Sequence, residues 1–317
     1  MRKIALEEHF TTPGLAGKYV ARPTQSDALF ADVERRLADF DALRLEMMDR
    51  TGIEVMVLSV TTPGVQGVRD AQEAIRLACD ANDFLAREVQ KRPDRYAGFA
   101  HLAMQDAGAA ATELERAVRE LGFRGALING QTNGHYLDED QYIPFWERVQ
   151  ELDVPVYLHP GSMADHPAMF AHRPELGGPI WAWTAETAAH ALRLVFGGTL
   201  TRFPSVKIIL GHMGETLPFL LWRLDSRREF DLGEKLAPDD LPSAIIKRNI
   251  AVTTSGVCDP VALNATLQAL GDDNVMFSVD YPYEDPQVAS DFIESAPIGE
   301  EIRAKICHGN AERLLRL

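Results

Sequence analysis

The stretch Leu6-Glu7-Glu8-His9-Phe10 decides how the rest of the chain is read. The apolar run Ile4-Ala5-Leu6 leads into it, and Pro13-Gly14 closes it off. This pattern predicts a buried strand that ends on two potential metal ligands. Alternate side chains of a strand share a face, so Glu7 and His9 are expected on one side and Glu8 on the other. A Glu-x-His triplet by itself fits a solvated strand end better than a metal site. The two readings separate only if a strand with a polar end returns along the chain.

It does return. Residues 10–31 are irregular, with Pro13, Gly14, Gly17 and Pro23, and apolar spacing predicts a helix from about Asp32 to Asp49, stopped at Thr51-Gly52. Strands follow at 54–60, 96–100, 125–129, 154–159, 206–210, 250–254 and 275–280. Helical patterns lie between them at 70–91, 107–120, 139–151, 184–198, 216–228 and 259–270, and two more at 286–296 and 299–316 end the chain. A polar stretch runs from 228 to about Asp240. Strands alternating with helices imply parallel pairing. Eight such units predict an α/β fold, a closed (β/α)₈ TIM-type barrel, with residues 1–317 as one domain. No Gly-x-Gly-x-x-Gly follows a strand, so dinucleotide binding has no support. The two longest βα loops, 10–31 and 160–180, fall on the face where barrels carry active sites, and form a candidate lid.

Composition narrows the function classes. Of 317 residues, 46% are hydrophobic and 25% charged, an ordinary globular balance. The net charge of -15 argues against nucleic acid as a partner. An anionic substrate would need a local Arg or a metal ion to overcome that field. No apolar run approaches the roughly 20 residues of a membrane span. Met1-Arg2-Lys3-Ile4 has no apolar segment behind it to make a signal peptide. Cys79, Cys258 and Cys307 have no metal-type spacing and fit reduced thiols in the cytoplasm.

In a barrel the C-terminal strand ends converge on one mouth. The polar residues there are Glu7 and His9, Asn129, His159, His212, Thr253 to Ser255, and Asp280. Carboxylates and imidazoles gathered at one mouth suit a divalent ion such as Zn²⁺ or Mn²⁺. Each position also has a structural reading. His159 before Pro160 could cap a strand, His212 between glycines could be a turn residue, and Asp280 before Tyr281-Pro282 could be a turn or cap. Asn129 fits either role. His101 ends a strand and is a minor candidate. His135, His166 and His172 fall in loops, His190 inside a helix and His308 on the last helix.

Taken together, the motifs resemble the metal-dependent aromatic-acid decarboxylases of the amidohydrolase superfamily. The resemblance runs through ALEEHF (5–10), LSVTTPGVQ (58–66), GALIN (125–129), VPVYLHP (154–160), ETAAHALRL (186–194), ILGHMGE (209–215), TTSG (253–256) and FSVDYPYE (277–284), nearly the whole chain. It implies that Glu7, His9, His159 and Asp280 hold one divalent ion, Mn²⁺ or Zn²⁺, per subunit. It implies a His212–Glu215 dyad beside the substrate, with Asp280 as the proton donor. Hydrolases of the superfamily commonly carry His-x-His on strand 1, and binuclear members a carboxylated Lys at strand 4. Glu7-x-His9 and Asn129 here fit a single ion better. Arg223 also matches the family pattern. At eight residues beyond Glu215 on a helix it would lie about 12 Å along, far for its own pocket, so it either serves a neighbouring subunit or the lid or is a surface ion-pair residue. Relatives usually continue strand 5 as His-Pro-Arg-Asn-Pro, whereas this chain has His159-Pro160-Gly161-Ser162-Met163.

The implied reaction is reversible, non-oxidative decarboxylation of a hydroxybenzoate such as 2,6-dihydroxybenzoate, by a homodimer or homotetramer, with Asn129 and Arg223 as substrate-binding candidates. The metal would act as Lewis acid and template for the carboxylate and ortho-hydroxyl. The same ligands would also serve a mononuclear hydrolase of a lactone or amide, with Asp280 as base. A barrel with a purely structural metal is the non-enzymatic alternative.

Overall fold

The computed structural model describes residues 1–16, 26–165 and 167–317. Gly17, Pro23 and His166, assigned above to loops, lie outside the described residues. The strands are β1 (Lys3–Phe10), β2 (Ile53–Val60), β3 (Tyr96–Gly98), β4 (Ala126–Asn129), β5 (Val156–His159), β6 (Ile208–Leu210), β7 (Ile250–Thr253) and β8 (Val275–Met276). They form two parallel runs, β1-β2-β3 and β4-β5-β6-β7-β8. Single parallel bridges, Ala100 to Ala126 and Glu8 to Tyr281, join the runs at both edges. The strands therefore close into the expected eight-stranded ring.

The ring has two apolar layers. Ile4, Leu6, Val57, Phe99, Leu127, Tyr157, Ile209 and Met276 fill its interior, plugged from below by Ala311 and Leu315 of the last helix. Ala5, Phe10, Met56, Leu58, Ile128, Leu158 and Leu210 face outward into the layer packed by the helices. Each fully buried Ile, Leu or Phe contributes about 1.5–3 kcal/mol of transfer free energy. Aspartates start several helices: Asp70 accepts from the Glu73 amide at 2.8 Å and Asp106 from the Ala109 amide at 2.9 Å, each cap worth about 1 kcal/mol.

A register irregularity interrupts β1. Ala5 pairs with Met56 but Glu8 with Leu58, so Leu6 and Glu7 stand opposite the single residue Val57, one extra residue in β1. Leu6 packs inside the barrel and Glu7 still reaches the lumen, where it meets Tyr157. Strict alternation from Ile4 and Leu6 would have turned Glu8 inward and Glu7 outward. A bulge at a barrel rim re-aims side chains in this way.

Several predicted elements are revised. The helix expected at 32–49 is two helices, Asp27–Leu37 and Leu43–Thr51. The Asp39 carboxylate accepts from the amides of Ala42 and Arg44 at 3.2 and 2.8 Å, drawing the backbone out of the helix. The helix expected from 216 begins only at Leu221 and ends at Leu232, because a left-handed turn and the 3₁₀ turn Leu217–Phe219 come first. A further short helix, Pro242–Asn249, follows the polar stretch. β8 is shorter than 275–280 because side chains replace the ladder beyond Met276: the Ser278 amide donates to Thr254 Oγ1 and the Val279 amide to Glu8. Among the described residues no helix is long and apolar enough to cross a membrane. All three cysteines are free.

Candidate metal centre and active site

Four ligand atoms converge at the mouth. One ligand atom each from Glu7, His9, His159 and Asp280 lies within 4.8 Å of the others. His9 Nε2 is 3.2 Å from Asp280 Oδ1, and His159 Nε2 is 3.4 Å from Glu7 Oε1. The rings of His9 and His159 meet edge to face at 4.7 Å. Glu7 Oε1, His9 Nε2 and Asp280 Oδ1 are all buried without a hydrogen-bond partner. Three unpartnered polar atoms converging on one point are costly, unless a cation sits among them.

The opposite atoms of these groups are held. Glu7 Oε2 accepts from Tyr157 Oη at 2.6 Å and from Ser255 Oγ. His159 Nδ1 lies 2.8 Å from the Pro160 carbonyl, which can only accept. Nδ1 therefore carries the proton and Nε2 presents its lone pair inward. His9 Nδ1 is 3.2 Å from Ser59 Oγ. Burial pushes the Glu7 carboxyl above its usual range, and burial followed by the neighbouring His9 holds His159 well below its own. A neutral His159 is the form that ligates metal.

On the other side of the mouth, β6 runs into a turn in left-handed conformation. His212, Met213, Glu215 and Thr216 have φ of 49°, 55°, 53° and 70°. The His212–Glu215 turn holds the two side chains together: His212 Nδ1 lies 2.6 Å from Glu215 Oε1, and Nε2 points at Asp280 Oδ2, 3.8 Å away. Burial lowers the basicity of His212, but the carboxylates of Glu215 and Glu7 outweigh it and raise the imidazole well above its usual value. Burial raises the Asp280 carboxyl, yet the neighbouring imidazoles of His212 and His9 more than reverse that and hold it low. The entry of this turn requires glycine, since a Cβ at Gly211 would lie 2.6 Å from Glu7 Oε2.

His159, His212, Glu215 and Asp280 line a cavity of about 490 Å³. Its walls include Val33, Pro63, Trp183 and Val257, with Ser162, Tyr283 and Glu284 among the polar residues, and no Lys or Arg belongs to its described lining. Such a space suits a small, flat, largely apolar ligand whose charge is met at the floor. The glycine in place of Arg after Pro160 is also explained. A Cβ at Gly161 would come 2.7 Å from the Asn129 carbonyl, so an Arg there would need a different backbone path.

The remaining sequence candidates fall elsewhere. Asn129 is buried, opposite His159 in the β4–β5 register, with both amide atoms unpartnered, but it is not in the cavity lining. Arg223 sits exposed on the helix Leu221–Leu232, also outside the cavity. No continuous helix joins it to Glu215, so the 12 Å expectation does not apply. His101 accepts from the Val65 amide at 2.8 Å, and His190 accepts from the Leu137 amide at 2.9 Å. Both are buried core groups. Sequence reasoning missed Tyr157 and placed Ser255 at the mouth without a role; both hold Glu7. Strand parity through His159 would have placed Tyr157 inside the barrel.

A family model described as Amidohydrolase matches residues 9–317. The chain belongs to the amidohydrolase family. Within that family it is similar to a gamma-resorcylate decarboxylase of Polaromonas sp., with 42% identity covering 99% of this chain and 98% of the relative. A crystal structure of 2,6-dihydroxybenzoate decarboxylase complexed with 2,6-dihydroxybenzoate superposes with a TM-score of 0.92 at 41% identity, covering 99% and 98% of the two chains. A dihydroxybenzoic acid decarboxylase from Polaromonas sp. with bound manganese and the inhibitor 2-nitroresorcinol gives 0.91 at 42% identity, covering 100% and 97%. The barrel fold is thus the amidohydrolase fold, and the Glu-His-His-Asp group of this chain could hold one metal ion.

Proposed function

We propose that the chain is a metal-dependent, non-oxidative decarboxylase of a hydroxybenzoate such as 2,6-dihydroxybenzoate, releasing CO₂ and a phenol reversibly. The observation that carries this reading is the orphaned set Glu7 Oε1, His9 Nε2 and Asp280 Oδ1 beside His159 Nε2, of which Asp280 and His159 line a cavity with room for a substituted aromatic ring. The decarboxylase relatives support it. Glu7, His9, His159 and Asp280 would hold one divalent ion, Mn²⁺ or Zn²⁺. When bound, that ion supplies Lewis acidity, lowering the pKa of the phenol and orienting the ring.

The protein's own groups then move the proton. An Asp280 held ionised arrives without one, so its carboxylate takes the proton of the ortho-hydroxyl. It delivers that proton to the ring carbon bearing the carboxylate, dearomatising the ring. The C–C bond breaks, CO₂ leaves and the electron pair restores aromaticity. The imidazolium of His212, its Nδ1–H directed at Glu215, reprotonates the phenolate through Nε2 and is recharged from solvent. Trp183 and Val257 give the ring part of its walls. Arg223, exposed on its own subunit, would meet the substrate carboxylate only across a subunit boundary of a homodimer or homotetramer. Exposed Phe219, Trp222 and Phe230 near it support such an interface. Asn129 would back the pocket between β4 and β5. Residues 1–317 are read as one barrel domain, and the three free thiols fit the cytoplasm.

The test is to incubate the protein and Mn²⁺ or Zn²⁺ with 2,6-dihydroxybenzoate, 2,3-dihydroxybenzoate and salicylate, following CO₂ and phenol. Turnover of at least one is expected. Cleavage of a lactone or amide with no hydroxybenzoate turned over would replace this reading by the hydrolase. Light scattering on the same sample reads the oligomer.

A further inference from the structure

Glu8 does not reach the lumen, yet it is fully buried. Its carboxylate receives three donors: Ser278 Oγ at 2.9 Å, the Val279 amide at 2.9 Å and the Tyr281 amide at 3.1 Å. Those two amides flank Asp280, which stands in the left-handed region at φ 79°. The Asp280 amide donates to the Glu7 carbonyl at 3.1 Å, and the His9 amide to the Tyr281 carbonyl at 2.7 Å. Ser278 Oγ also accepts from the Glu7 amide at 2.6 Å. Beyond the single bridge at Glu8, β1 and β8 have no ladder, so this side chain closes the ring where Asp280 leaves it. Behind it the buried guanidinium of Arg44 donates to the His9 carbonyl at 2.7 Å and lies 4.8 Å over the Tyr281 ring, a counter-charge on the same seam.

We infer that Glu8 is a positioning residue: its carboxylate clamps the 278–281 backbone in the one conformation that presents Asp280 to the metal position beside His9. A left-handed L-residue costs about 1–2 kcal/mol and persists only where its surroundings over-determine it. Three hydrogen bonds to one buried carboxylate supply that constraint. Removing a group that orients a metal ligand typically costs about 10–100-fold in metal affinity. Glu8→Gln keeps the shape but turns an amide donor toward at least one of three donors, so the clamp opens and Asp280 relaxes. The inference rests on the reading of Asp280 as a ligand.

The test is a double-mutant cycle on Mn²⁺ affinity, read by titration calorimetry and therefore independent of which substrate, if any, is turned over. Asp280→Asn is expected to weaken Mn²⁺ binding with little backbone change, because Asn tolerates left-handed φ. Glu8→Gln should weaken it about tenfold alone and by less than twofold in the Asp280→Asn background. The visible spectrum of the Co²⁺-loaded Glu8→Gln protein should shift toward that of Asp280→Asn. Thermal melting checks folding; if Glu8→Gln does not fold, Ser278→Ala removes one clamp donor and should show the same background dependence at smaller size. Equal loss in both backgrounds, or none in either, overturns the clamp. Wild-type affinity in Asp280→Asn overturns the ligand role of Asp280 and the clamp with it, leaving the decarboxylase assay to stand or fall separately.

Discussion

The β1–β8 seam and the turn after β6 both aim groups at Asp280, and they are built in opposite ways. At the seam, Glu7, Glu8 and His9 are fully buried, and each has its backbone or far side-chain atom tied to a neighbouring strand. After β6, five consecutive positions, His212 to Thr216, hold left-handed φ, and His212 retains 21% side-chain exposure. One short contact, Nδ1 to Oε1 of Glu215, orients its ring. A fixed, desolvated wall suits ion binding, where ligand geometry sets affinity. A strained turn at the edge of the cavity suits a group that exchanges protons with solvent.

That contrast can be broken by mutation. The largest effect is expected from His212→Asn, which should lower kcat by about 10²–10⁴-fold, the usual range for a general acid–base group, while metal content per chain stays unchanged. Metal analysis and steady-state kinetics on one preparation check both halves; loss of the metal together with the rate would make His212 part of the wall. Next, Glu215→Gln removes the anion that raises His212. Its imidazolium is held above the ordinary His value, so activity needing that proton persists to higher pH and is lost as pH rises through the folded pKa. Without the Glu215 charge that limb should move to lower pH, with the charge pair's stabilising effect, present at low pH, also reduced. A pH–rate profile and melting curves against pH report the two.

Gly211→Ala tests where the regions touch. Its Cβ would lie 2.6 Å from Glu7 Oε2, so either Glu7 or the turn must shift, at a cost of about 1–3 kcal/mol as in other overpacked sites. Weaker Mn²⁺ binding together with a lower Tm is the expected pair; an unchanged Tm and affinity would mean that the seam yields easily. The smallest effect should be stabilising. Thr216 is exposed at φ 70°. Thr216→Gly relieves about 1–2 kcal/mol of strain against about 0.4–1 kcal/mol of added unfolded-chain entropy. A gain of about half a kcal/mol, near 1–2 °C in Tm, should appear by calorimetry with kcat unchanged.

Much of this was legible in the sequence. Short, near-continuous apolar runs located all eight strands, because a strand buried on both faces must be apolar along its length. Polar residues at the ends of such runs, Glu7, His9, His159 and Asp280, stood out because a buried carboxylate or imidazole needs a reason. Boundaries failed where side chains compete with the backbone, as Asp39 does between the first two helices, and where left-handed residues carry no local signal, as at Met213 and Thr216.

The side of the strand on which the opening triplet would display its carboxylates was a different matter. Alternation counted back from His9 puts Glu7 inward, while alternation counted forward from Leu6 puts Glu8 there, and the sequence contains both answers. Only the pairing of β1 with β2 chooses, by slipping its register between Ala5 and Glu8. The same holds for Arg223, whose distance along the chain from Glu215 says nothing of the turn between them. Sequence determines which segments must be buried, because that depends on local composition and period. Which buried group faces the ion and which clamps the seam is set by contacts between residues some 270 positions apart, and those exist only once the barrel has closed.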